Sequence, residues 1–211
     1  YALFQDKLSK TGYNSINEAL ELIYLPKYAC FKQEIAEIVS FLLARLDIKT
    51  TPIGADIIPG LELYGCYTRE EVFTLVGRQT AEVKMQGTAS GAFNLPEHNA
   101  VLLFVTLNKS EKDFSPSTQY NDYLINDEYF HWQSKNTDSH YNSGGRKYIE
   151  QPKTGIKIIL FVREEKKDGF GNTSPFHCFG LVDYVSSHDD FPMNVKWRLQ
   201  KPAMAQYLKA I

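Results

Sequence analysis

The chain has 211 residues, 43% of them hydrophobic and 23% charged, which fits a folded globular domain and excludes a disordered or fibrous one. A net charge of −2 and a pI near 6.2 exclude the strongly basic footprint of a nonspecific polyanion binder, while leaving room for a local basic face. Cys30, Cys66 and Cys178 are odd in number, far apart and without a CxxC pair, so neither a disulfide framework nor a structural zinc site is expected, and no apolar run approaches the roughly 18 residues of a membrane span.

In chain order, residues 1–85 read as a small helical bundle or connector. SINEALELIYL places Ser15 as N-cap with Glu18 three residues on, and Pro26 ends it. FKQEIAEIVSFLLARLD carries Ile35, Ile38, Val39, Leu42, Leu43 and Leu46 on one face. TREEVFTLVG gives a third helix, capped by Thr68 and closed by Gly77. Residues 86–211 then read as a β-rich module. Val101–Leu107 and Ile156–Val162 are short apolar runs suited to buried strands. FHCFGLVDYVSS sets Phe176, Phe179, Leu181 and Val185 against smaller or polar residues, and MNVKWRLQ alternates Val195, Trp197 and Leu199 with Asn194, Lys196 and Arg198. Strands without helical patterns between them predict an antiparallel sheet or small barrel, so the fold class is α+β. The chain opens at Tyr1 with no basic-then-apolar leader and reads as a piece of a longer, cytoplasmic protein.

The runs VLLFVTLNKSEKDFSPSTQYNDYLI, FHWQSKN, GIKIILFVRE and FGLVDYV carry a resemblance over most of the chain, best over residues 93–199. The chain resembles the domain of unknown function found at the C-terminus of bacterial superfamily-two helicases, several of which also carry a phospholipase D-like nuclease domain. The resemblance implies an accessory DNA-related module of restriction or phage-defence machinery, with double-stranded DNA and a helicase core, in the same or a partner chain, as partners. It supplies no catalytic residues. The chain itself holds no GxxxxGK[ST] phosphate loop and no DEAD or DEAH box.

Catalysis finds weak support in the residues. Asp56 with Glu82-Val83-Lys84, or Glu164-Glu165-Lys166, loosely matches a metal-dependent nuclease, but such triplets are common by chance. His177 and Cys178 are neighbours on a strand and point to opposite faces, a poor start for a metal. A Ser/His/Asp set lacks any GxSxG signature. No cofactor and no metal are expected. Residues 107–148 instead mix cations, amides and rings: Asn108, Lys109, Ser110, Lys112, Tyr120, His131, Trp132, Gln133, Lys135, Arg146 and Tyr148, with Arg163 and Arg198 supporting from strand ends. Cations suit phosphates, amides suit base edges and rings suit stacking. Within FHWQSKN, Phe130, Trp132 and Ser134 share one side of a strand, and His131, Gln133 and Lys135 the other. The expected function is noncatalytic DNA recognition or substrate positioning, extending to the sensing of modified bases. The rivals are a protein-interaction or dimerisation module and a small metal-dependent nuclease.

Overall fold

The computed structural model describes residues 18, 21, 24–44, 51–53, 57–80, 83, 91–109, 120–203 and 205. The Ser15 cap, the carboxylates Asp56 and Glu82 with Lys84, and the candidate contacts Ser110 and Lys112 lie outside the described residues. The chain divides into two compact units, Tyr1–Thr51 with Glu70–Gln86 and Pro52–Arg69 with Gly87–Ile211.

In the first unit Pro26 opens a short 3-10 turn, Pro26–Tyr28, and helix α1 (Ala29–Ala44) follows. Its Ile35, Ile38, Val39 and Leu42 recur at helical spacing and are exposed. Helix α2 (Arg69–Leu75) begins directly after Thr68, with Glu70 and Glu71 at its positive end. Gly77, at φ +71°, ends it. There the Gly77 amide donates to the Thr74 carbonyl (3.0 Å) and the Arg78 amide to that of Phe73 (2.8 Å), so carbonyls left over at the helix end are used.

Among the described residues the strands are β1 (Thr51–Pro52), β2 (Glu62–Leu63), β3 (Cys66–Tyr67), β4 (Ala92–Leu95), β5 (Ala100–Asn108), β6 (Tyr123–Leu124), β7 (Tyr129–Gln133), β8 (Lys157–Glu165), β9 (Phe176–His188) and β10 (Asn194–Leu199). The large sheet of the second unit runs β4-β5-β8-β9-β10-β7-β6, with β3 pairing beside β10 on β9. β5 and β8 are parallel, from Ala100 opposite Lys157 to Asn108 opposite Glu165; the other pairings are antiparallel. The sheet is therefore mixed, which corrects the expected antiparallel sheet, and among the described residues it does not close into the expected small barrel. A parallel pair needs a long crossover. Here the crossover from β5 to β8 carries β6, β7, helix α3 (Ser143–Ile149) and helix α4 (Gln151–Thr154). Gly144, Gly145 and Pro152 hide these helices in the sequence, because they break the apolar helical period. Asn142 starts α3, its side-chain oxygen accepting from the Gly145 amide at 3.1 Å.

β5 and β8 lie inside the sheet and bury Val101–Val105 and Ile158–Val162 without a break, as strands covered on both faces must. On one face the main core gathers Leu103, Leu160, Phe130, Trp132, Val195 and Trp197, with Tyr148 supplied by α3. The opposite face buries Leu102, Phe104, Ile159 and Phe161; Phe104 stacks on Phe161 (4.9 Å) and meets Phe176 edge-on (5.2 Å). In β9 the simple alternation fails. Phe176, Cys178, Phe179 and Val182 are buried, and Val185 is exposed. Register shifts opposite Leu160/Phe161 and Lys196/Trp197, with Gly180 at φ +78°, rephase the strand. Beyond Val182, β8 no longer covers β9. Gln151 takes its place: its amide nitrogen donates to the Val182 carbonyl (2.7 Å) and its oxygen accepts from the Tyr184 amide (2.5 Å). This buried side chain thus satisfies an exposed strand edge.

Candidate nucleic-acid interface

β10 lies between β7 and β9, and β6 extends β7. Where Phe130, Trp132, Val195 and Trp197 turn into the core, the intervening residues must face the other way. Register sorts these into three rows: Tyr123, His131, Lys196 and Ser186; Gln133, Asn194 and His188; Tyr129, Arg198 and Asp183. Neighbours in a row sit on strands about 4.8 Å apart.

The rows hold three kinds of group. Tyr123 and His131 stack with ring centroids 4.6 Å apart and planes 14° apart. His131 Nδ1 is 2.8 Å from the Asn121 carbonyl, which only accepts, so Nδ1 carries a proton and Nε2 of the neutral ring is left as an acceptor. Lys196 Nζ lies 4.1 Å from the Tyr129 ring centroid. The Gln133 amide is held on both sides, its oxygen accepting from the Asn121 amide (2.6 Å) and its nitrogen donating to Asn194 Oδ1 (2.9 Å). Asn194 in turn donates to Asp189 Oδ2 (2.9 Å). Arg198 donates to Asp183 Oδ2 at 3.1 Å, with side chains 58% and 35% exposed. Such a pair is worth only about 0–1 kcal/mol, so a phosphate can compete for the guanidinium.

The structure thus brings His131, Gln133 and Arg198 together, with Lys135 exposed just past the end of β7. It separates the others. Trp132 and Tyr148 meet edge-to-face at 5.0 Å inside the core, 4% and 0% exposed, and present no ring to a base. Lys109 Nζ is buried against Asp122 Oδ2 (2.7 Å) and the Tyr120 carbonyl (2.6 Å), so it answers a carboxylate inside the fold. Asn108 is exposed at the end of β5. Arg146 pairs with Glu150 one turn along α3, its Nε 3.0 Å from Oε1. Arg163 is buried, donating to Thr106 Oγ1 (2.9 Å) and the Ser174 carbonyl (3.0 Å) with its guanidinium 4.2 Å from the Phe176 ring centroid. Tyr123 lies in the same 107–148 block and joins the first row, whereas Tyr129, Asn194 and Lys196 share these rows without having been candidates in the sequence. The signal that finds them is the alternation of MNVKWRLQ, once β10 is paired with β7.

Cys66 and His177 face each other on the paired strands β3 and β9. Cys66 Sγ lies 3.2 Å from His177 Nδ1. Burial raises the Cys66 thiol and lowers the His177 imidazole, so both favour their neutral forms. Among the described residues no three His, Cys, Asp or Glu side chains converge to hold a metal ion, and no helix is long and apolar enough to cross a membrane.

Fold and face together define a mixed α/β domain with one polar, ring-bearing sheet surface. The family model for a domain of unknown function, DUF3427, matches residues 61–210, and the chain belongs to that family. No curated protein matches the chain.

Proposed function

We propose that this domain contacts DNA, as a recognition or substrate-positioning module of a larger cytoplasmic helicase–nuclease machine of restriction or defence, and does not itself cut the strand. The observation that carries the proposal is the face of β6, β7, β10 and β9, where the Tyr123–His131 stack, the Lys196–Tyr129 pair and Arg198 stand in register. Rings there can stack on bases while the two cations meet phosphates. The helicase and the sensing of modified bases enter from the family resemblance and from analogy with small modified-base readers. The test is fluorescence anisotropy of the whole chain on plain and modified duplexes. His131→Ala, Lys196→Ala and Arg198→Ala should each weaken binding about 5- to 150-fold, at roughly 1–3 kcal/mol per contact, while Arg146→Ala should not. Equal binding by all four variants would remove the face assignment.

The rival reading, protein docking, is favoured by α1, whose Ile38, Phe41 and Leu42 are more than half exposed. It predicts no duplex binding at any salt and a concentration-dependent mass in light scattering.

A further inference from the structure

The other side of the same strands holds a second polar cluster. Ser187 stands opposite Val195, and Tyr184 opposite Trp197, both core residues, so the two hydroxyls share the core-facing side of β9. The register shift at Lys196/Trp197 leaves Val185 as the extra residue and brings positions 184 and 187 onto one side. The loop after β7 folds over this end of the sheet. The Ser134 amide donates to the Met193 carbonyl (2.9 Å), the Met193 amide to Ser134 Oγ (3.0 Å), and the Phe191 amide to the Asp138 carbonyl (3.1 Å). These tethers set His140 beside Ser187 and Asp190.

His140 Nδ1 is 2.9 Å from Asp190 Oδ1, and the His140 backbone amide donates to the same oxygen at 2.6 Å. His140 Nε2 is 2.8 Å from Ser187 Oγ, which is 2.8 Å from the Tyr184 hydroxyl. The bonds from His140 hold the Asp190 carboxyl below the usual carboxylate range. An ionised carboxylate only accepts, so Nδ1 must donate to it. With the ring in its neutral form, Nε2 accepts from Ser187, and Ser187 Oγ is left to accept from Tyr184. One direction of protons satisfies the whole chain. The His140 and Asp190 side chains remain 30% and 28% exposed, so a small molecule can reach them.

We propose that Ser187 is a nucleophile toward small esters, with His140 as its base, Asp190 orienting the imidazole and Tyr184 donating to the developing oxyanion. This goes beyond the DNA-contact reading and is independent of it, since the cluster and the three rows lie on opposite sides of the sheet. Ser187 Oγ attacks the ester carbonyl carbon and its proton passes to His140 Nε2. The bond to the alcohol oxygen breaks, and the alcohol leaves with that proton. Water, deprotonated by His140, then attacks the acyl-serine, releases the carboxylic acid and restores Ser187. No electrons are exchanged.

The test uses the whole chain with an alkyl fluorophosphonate, which transfers its phosphonyl group to an activated serine and loses fluoride. The expected result is a single adduct by intact mass, mapped to Ser187, absent in Ser187→Ala and His140→Gln. Asp190→Asn should slow its formation at least about tenfold, because it weakens the orientation of the ring. Thermal melts of the variants show whether each remains folded, and the wild-type chain decides the matter without them. No adduct on folded wild type, an adduct on another residue, or equal labelling of folded His140→Gln overturns the proposal.

Discussion

Lys109 carries different chemistry from what its neighbours in sequence imply. Its ammonium and the Asp122 carboxylate are 8% and 4% exposed. Burial pushes the Asp122 carboxyl up, and the nearby ammonium opposes that shift. Removing one partner leaves a buried carboxylate without its counter-charge, at a cost of about 3–5 kcal/mol. Lys109→Met should therefore lower the urea midpoint strongly, and adding Asp122→Asn should recover part of the loss. A Lys109→Met protein as stable as wild type would show that the pair is not buried as described. His177 gives a pH-dependent prediction. Burial lowers its imidazole, partly offset by a hydrogen bond from the ring to the Tyr64 carbonyl and by Glu164. As pH falls below about 6.5, the unfolded chain takes up the proton before the folded chain does. Stability should thus decline from pH 7.5 to 5.5, and His177→Gln should reduce that decline; an identical decline in the variant contradicts it. At this scale the sequence showed which residues of FHWQSKN share a side, because strand alternation is local, but not which side faces the core, so Trp132 was wrongly offered as a contact. It could not show that Lys109 meets Asp122, or that His140 meets Ser187 and Asp190, because those partners arrive through tertiary contacts.

Single elements depend on close approach as much as on propensity. α3 contains two glycines, and a sequence reading takes the segment for a loop. A Cβ at Gly145 would come within 2.1 Å of the Ser139 carbonyl oxygen and 2.3 Å of Met193 Sδ. Glycine is thus present to let the helix rest on the 134–142 loop, and the Asn142 cap offsets part of its poor helix propensity. Gly145→Ala forces backbone apart and should cost about 1–3 kcal/mol or more in urea unfolding. An alanine variant of unchanged stability would mean that α3 does not seat this closely. β5 and β8 were legible as elements, since continuous apolar runs mark interior strands. Their parallel pairing was not, because it depends on a crossover whose helices lack a visible period. The rephasing of β9 was hidden likewise, since bulges leave little trace in residue type.

For the molecule as a whole, the total charge is a poor guide to partners. The net charge of −2 averages over both units, whereas binding depends on the few cations that share a face. Lys196 and Arg198 share one with the Tyr123–His131 stack, and neither is locked into a buried pair. Arg163 and Lys109, equally cationic in the sequence, are buried as structural groups. The most direct test is the salt dependence of duplex binding by the whole chain and by the Lys196→Ala/Arg198→Ala double variant. With two phosphate contacts, affinity should fall about tenfold between roughly 50 and 200 mM salt, and the double variant should bind more weakly with a log–log slope shallower by about 2. No binding near 50 mM, or a double variant with wild-type affinity and slope, would contradict the account.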